Sequence, residues 1–323
     1  MRLINRHFVV MALGLGILLA PSLGAGHALF RDFDHRHPIH WSPKLGGKRR
    51  QVIYEHRPTR TLTFYLFQPP GSGNQPHPAV IYIHGGALRF GTGIISSAPT
   101  PHNQLLVALE RHLIQEGIDF VSVNYRLAPL HPWPQPLDDV ENAVRFVRRH
   151  GRALHINPHD MAVMGDSAGG ELSSFVGLTM RNPGNGQPMI RGVVDLFGPT
   201  DRESFARQWE ERHGSVPNPV YGLYTPRRVR RESVIFHVQA GAPPFLIIQG
   251  SRDRVVSPWQ SWILQEKLHQ CGVPVKEVVV AHAGHELVPR GGPIRPDISH
   301  LGALINTFLM AQLLSKQKSP PLE

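Results

Sequence analysis

The sequence predicts an α/β fold: a mostly parallel central sheet, helices on both faces, and a small cap insertion. Three observations predict it. From residue 51 onward short β-branched runs alternate with longer amphipathic stretches, the pattern of strands joined by helical crossovers. Within one such stretch Val140, Ala143, Val144 and Val147 recur at i, i+3, i+4 and i+7, which draws a single apolar stripe down a helix. Finally, 41% of the residues are hydrophobic and only one is cysteine, so the fold must be held by a core and not by disulfide staples.

The chain opens with Arg2 and Arg6 ahead of an uncharged apolar run, Phe8 to Ala20, then Pro21 and small residues up to Ala28. This is the order of a secretory signal, so residues 1–28 are expected to direct export, to a secreted or periplasmic location. The alternative is an uncleaved membrane anchor over residues 7–30, because no charged residue occurs between Arg6 and Arg31. Residues 29–50, with His35, His37 and His40, read as an irregular arm. The main domain then spans 51–318. Strands are expected at 51–55, 62–68, 79–84, 120–124, 161–164, 193–197, 245–249 and 275–280, the first two pairing antiparallel at one edge. Helices are expected at 103–116, 136–150, 168–180, 258–271 and 299–314. Residues 199–243 break the rhythm with Trp209, several prolines and glycines and an arginine cluster, and are read as a cap or lid inserted between strands.

Composition removes several function classes. One cysteine excludes a Cys-ligated zinc module and a thioredoxin-type redox motif. The net charge of +10 invites a nucleic-acid reading, but the basic residues form no aromatic-interleaved stripe and no helix-turn-helix, zinc-finger or RRM signature is present. Lys48-Arg49-Arg50 and the arginines of 227–231 read as solvated faces, and membrane association is expected only through the N-terminal segment. No metal or organic cofactor is called for.

The chemistry starts at Gly165-Asp166-Ser167-Ala168-Gly169-Gly170, which follows the apolar run Met161 to Met164 and opens a helical stretch. Gly-x-Ser-x-Gly between strand and helix reads as the nucleophile elbow, a tight turn that exposes the serine hydroxyl at the strand's C-terminal end; on the pentapeptide alone the competing reading is a helix N-cap serine in a glycine-rich turn. The glycines are needed because strand and helix pass too closely for side chains there. Ala168 brings a backbone N–H to the helix start, where it can stabilise a developing oxyanion. A second glycine turn, His84-Gly85-Gly86-Ala87, follows the apolar strand ending at Ile83, and its backbone N–H groups supply further oxyanion candidates at Gly85, Gly86 and Ala87.

A serine hydroxyl needs a base, and the chain order after an elbow is acid, then histidine. Asp253, in a short loop after the strand 245–249, is the best acid; His285, just after the strand 275–280, is the best base. Asp201 and Glu203 are rival acids and His282 a rival base. Trp133, Phe90 and Trp209 are aromatics that either line a pocket or belong to the core.

With these pieces in place the chain resembles the hormone-sensitive-lipase-like esterases of the α/β-hydrolase fold. The resemblance rests on His84-Gly85-Gly86, on Asn124-Tyr125-Arg126-Leu127-Ala128-Pro129, on Gly165 to Gly170, on Ala242 to Gly250 with Asp253, and on Gly284-His285, in family order over about residues 60 to 315. It implies a Ser167–His285–Asp253 triad and an oxyanion hole from the N–H groups of Gly86, Ala87 and Ala168. The chain is also similar to secreted carbohydrate-esterase and feruloyl-esterase-like relatives. Two positions depart from the family pattern: Ala87 replaces a third glycine, and Glu171 stands where Asn or His is more usual. The expectation is an exported serine carboxylic-ester hydrolase for short-chain or carbohydrate-linked acetyl or feruloyl esters. The alternatives are a peptidase or amidase on the same triad, and a hydrolase-fold scaffold that only binds a ligand.

Overall fold

The computed structural model describes residues 48–58, 60–71, 75–96, 98–214 and 225–314. The export segment and the histidine-bearing arm lie outside them, apart from the arm's last residues. Eight strands form one sheet: β1 (Lys48–Arg57), β2 (Arg60–Gln68), β3 (His77–Ile83), β4 (Asp119–Val123), β5 (Ile156–Asp166), β6 (Val193–Leu196), β7 (Phe245–Gly250) and β8 (Val275–Val280). Their order is β1-β2-β4-β3-β5-β6-β7-β8. β1 and β2 form the antiparallel edge hairpin, β2 also meets β4 antiparallel, and every later pairing is parallel.

Seven helices accompany the sheet among the described residues: α1 (Pro101–Gln115), α2 (Gln135–Leu154), α3 (Ala168–Thr179), α4 (Arg202–His213), α5 (Pro226–Glu232), α6 (Trp259–Gln270) and α7 (Ile298–Leu314). Side chains alternate across a strand, so each parallel strand feeds two cores. On one face Ile81, Ile83, Val163, Val193 and Ile247 pack with Val144 of α2, Phe175 of α3 and Leu264 of α6. On the other Val80, Tyr82, Met164, Val194 and Ile248 pack with Leu109 of α1 and Ile305 of α7. Both faces are therefore covered, which is what lets the central strands be apolar throughout.

Several elements run beyond their expected bounds for local reasons. α2 passes through Gly151 to Leu154 and stops only where His155 turns left-handed at φ 58°. β5 starts five residues early at Ile156, because its polar opening still pairs with β3 through Ile156 and His77. Within the insertion two helices form that apolar periodicity did not announce. Their starts are capped: Asp201 accepts from the N–H groups of Glu203 and Ser204, and Thr225 from that of Arg228, ahead of Pro226.

Candidate active site

β5 ends at Asp166 and α3 begins at Ala168, so Ser167 alone makes the turn between them. Its backbone sits at φ 51° and ψ −120°, a sparsely populated region that costs on the order of 1 to 3 kcal/mol. The surroundings hold it there: the Ser167 N–H donates to Leu196 O at 2.8 Å, binding the elbow to β6. α3 also passes so close to β3 that a methyl group at Gly169 would collide with the Ile83 carbonyl oxygen. The spacing of glycines in the motif is thus a packing requirement, and the result is a half-buried hydroxyl at the C-terminal edge of the parallel strands.

His285 and Asp253 reach the same edge. His285 follows β8 and opens a short 3-10 turn, His285–Leu287. Its Nε2 lies 3.0 Å from Ser167 Oγ, and its Nδ1 lies 2.7 Å from Asp253 Oδ2. Asp253, 3% exposed, sits in the loop after β7, where its other oxygen accepts from the N–H groups of Val255 and Val256 at 2.8 and 2.9 Å. With Oδ1 so held, Oδ2 is directed at the imidazole, which fixes the proton on Nδ1 and leaves Nε2 as the acceptor toward Ser167. Burial pulls His285 toward its neutral form, but the attraction and hydrogen bond of Asp253 outweigh it and hold its pKa above the ordinary value. The ring edge of Phe197 packs against His285, with centroids 5.0 Å apart.

The turn after β3 is stiffened from several sides. His84 donates from Nδ1 to Gly85 O at 2.8 Å and stacks on Tyr125 at 4.3 Å between ring centroids. Burial lowers its pKa to about 4, so the ring is neutral. The segment after β4 supplies the rest: Tyr125 OH donates to His84 O at 2.7 Å, and the Ala128 N–H donates to Leu88 O at 2.8 Å. Arg126 anchors that segment by donating to both oxygens of the buried Asp139, each at 2.7 Å. Gly86 and Ala87 both adopt positive φ, 103° and 54°, so Ala87 accepts a left-handed conformation that glycine would adopt without cost. The N–H groups of Gly86, Ala87 and Ala168 make no hydrogen bond to another described residue.

Gly85 differs from the expectation. Its N–H is turned inward and donates to Asp166 Oδ1 at 3.1 Å, so it is occupied within the protein and cannot also serve an oxyanion. The candidate oxyanion donors that remain are Gly86, Ala87 and Ala168.

The structure also settles what two buried acids contact. Glu171, one turn along α3 from Ser167, forms a 2.5 Å ion pair with Arg202 at the start of α4; the two side chains are 1% and 2% exposed. Arg202 in turn lies over the Trp133 ring at 5.2 Å and donates to Glu232 O at 2.9 Å, tying the insertion to the elbow helix. Asp166, the residue before Ser167, accepts from Tyr82 OH at 2.6 Å and lies 3.3 Å from His102 Nε2. Burial works to raise the Asp166 pKa, yet the attraction of His102 and the hydrogen bonds from His102 and Tyr82 win and leave it below the usual carboxylate value. Neither role was visible in sequence. The only available signal was that an aspartate inside so tight a motif must be buried and therefore needs partners.

The rivals are placed elsewhere. Asp201 spends its carboxylate on the α4 cap, and Glu203 is solvent-exposed. His282 donates its backbone N–H to Ser251 Oγ and its carbonyl accepts from Arg290, and its ring lies against Gly292. Trp133 is buried against Phe175, with centroids 5.1 Å apart, whereas Phe90 and Trp209 are half-buried.

Comparison with known proteins matches residues 65–268 to the family model described as BD-FAE. Among curated proteins, "Esterase LipC" of Mycobacterium tuberculosis is 30% identical over 245 residues, covering 72% of this chain and 56% of that protein. The chain spans about half the length of the curated relatives it matches. Among solved structures, a truncated carbohydrate esterase from gut microbiota superposes with a TM-score of 0.65 at 23% identity, covering 85% of this chain and 99% of that one. Thermogutta terrifontis esterase 2, phosphorylated by paraoxon, gives 0.65 at 16% identity, covering 88% and 100%. These structural likenesses show the α/β-hydrolase fold.

Proposed function

The chain belongs to the BD-FAE family and has the α/β-hydrolase fold, and from that premise we propose that it is a serine carboxylic-ester hydrolase working through an acyl-enzyme. One observation carries this reading: the unbroken line from Asp253 Oδ2 through His285 to Ser167 Oγ, with steps of 2.7 and 3.0 Å, beside three backbone N–H groups that have no partner among the described residues. His285 takes the proton of Ser167 as the oxygen attacks an ester carbonyl. Asp253 keeps the imidazole in the receptive tautomer and stabilises the cation that forms. The carbonyl oxygen, now an anion, is received by the N–H groups of Gly86, Ala87 and Ala168, each contributing about 2.7 to 4 kcal/mol to the transition state. His285 returns the proton to the leaving alkoxide. Water, activated by the same nitrogen, then releases the acid and restores the serine.

We take short-chain esters, or acetyl and feruloyl esters of carbohydrate, as the substrate class. Ala87 puts a methyl group in the oxyanion turn, where the resemblance to hormone-sensitive-lipase-like esterases implies a third glycine, and one structural relative is named a carbohydrate esterase. Export rests on the sequence of residues 1–28, and recovery of a shortened N-terminus from the extracellular or periplasmic fraction is its test.

The central test is hydrolysis of a p-nitrophenyl ester series from acetyl to palmitoyl, with Ser167→Ala beside it. Turnover concentrated at short chains and lost in the variant is the expected result. An inactive wild type on every chain length, or a variant that turns over as fast as the wild type, overturns the assignment.

A further inference from the structure

A second histidine–aspartate pair lies beside the first, and the mechanism above does not use it. His102 stands in the opening turn of α1 and Asp166 immediately precedes the nucleophile; the two are 4% and 6% exposed. The Asp166 carboxylate joins three parts of the site. Oδ1 receives the Tyr82 hydroxyl at 2.6 Å and the Gly85 N–H at 3.1 Å, while Oδ2 lies 3.3 Å from His102 Nε2. Gly85 is pressed so closely on this carboxylate that a methyl group there would collide with it. The turn bearing the candidate oxyanion donors is therefore seated directly on the residue next to Ser167.

A buried carboxylate is tolerated only when its oxygens are compensated. Tyr82 and Gly85 both act on Oδ1, and His102 is the group that compensates Oδ2. Removing the imidazole would favour reorientation or protonation of Asp166, and with it a shift of the Gly85 peptide from which Gly86 and Ala87 continue. His102 cannot pass a proton onward, because its Nδ1 is buried with no partner among the described residues. Its effect has to be positional.

We propose that His102 and Asp166 are positioning residues that hold the oxyanion turn against the nucleophile elbow. The inference rests on the ester-hydrolase reading of the same site. It is tested in the full chain with His102→Leu, which keeps most of the volume packed against Phe197 but has no N–H, with His102→Gln, which restores an N–H donor, and with Asp166→Ala. For each, kcat and KM are measured on p-nitrophenyl acetate, together with Ki for a trifluoromethyl ketone, whose adduct with Ser167 places an oxyanion on the same N–H groups.

Because a donor lost outright costs about a hundred- to thousandfold and a displaced one less, His102→Leu is expected to lower kcat roughly tenfold, with KM within about twofold. Asp166→Ala is expected to lower kcat roughly a hundredfold. Ki should rise in step with the fall in kcat/KM, as required of an interaction made only in the transition state, and His102→Gln should recover most of both losses. The proposal is overturned if His102→Leu keeps kcat and Ki within about twofold of wild type, or if His102→Gln is as impaired as His102→Leu. Should Asp166→Ala not fold, the Leu and Gln variants decide the matter. A wild type without Ser167-dependent turnover would instead sink the underlying reading, a result distinct from any of these.

Discussion

Ser167 lies between two histidine–aspartate pairs made of the same chemical parts. In one, His285 and Asp253 are 2.7 Å apart and the second ring nitrogen faces Ser167 Oγ at 3.0 Å; in the other, His102 and Asp166 are 3.3 Å apart and the second ring nitrogen faces no described partner. The ring of Phe197 stands edge-on to both imidazoles, at 5.0 and 5.4 Å. The carboxylates differ as well. Asp253 spends its spare oxygen on N–H groups of its own loop, whereas Asp166 spends one on a different loop, at Gly85. A histidine–aspartate pair relays a proton only where the far nitrogen meets a group that can exchange one, here a hydroxyl; where it meets nothing, the pair can still align backbone.

The largest effect separating the two pairs is expected from Asp253→Asn. The amide leaves the geometry nearly unchanged but favours the wrong imidazole tautomer, so kcat should fall about 10⁴-fold, far more than His102→Leu removes. Steady-state kinetics on p-nitrophenyl acetate read both, and equal losses would erase the distinction. Next comes a purely structural pair one turn along α3. Glu171→Gln strips the counter-charge from the buried Arg202, and breaking such a pair costs about 3 to 5 kcal/mol of stability. Denaturant unfolding should show that loss while kcat stays within a few-fold, which would set this ion pair apart from both histidine pairs.

The smallest effect is in the pH profile. Protonating His285 removes the base, so kcat/KM must fall as pH drops through its pKa, and that acid limb should lie above the ordinary imidazole value because Asp253 raises it. Asp253→Asn leaves burial as the dominant influence, so the limb of the residual activity should move to lower pH. In His102→Leu the midpoint should move far less than in Asp253→Asn, because Asp166 is a weaker influence on His285 than Asp253 is. A midpoint that moved as far as in Asp253→Asn would show that the two pairs are coupled chiefly through charge and not through packing.

Much of this architecture could be read from single elements. The elbow at Gly165 to Gly170 was legible because its glycines, its strand and its helix are contiguous, and the places of Asp253 and His285 followed from chain order after strands of a parallel sheet. The helices α4 and α5 were missed because their exposed faces are rich in arginine and glutamate, so apolar periodicity was diluted, although Asp201 and Thr225 stood there as caps. Gly85 was misassigned because a glycine turn shows where backbone N–H groups occur and not which way each one points; the inward turn depends on Asp166, 81 residues away.

By itself the sequence determined what local chemistry can determine: where strands and helices alternate, which serine lies in a strained turn, and which aspartate and histidine lie in line with it. Tertiary structure alone decided which polar groups compensate one another inside. His102 lies 64 positions before Asp166 and Ser167 lies 118 positions before His285; Arg202 reaches Glu171 from outside the helix that carries it. Burial makes each unpaired charge costly, and a charge can be paired by any residue the fold brings near it, so the partner is written in the packing and not in the neighbouring sequence.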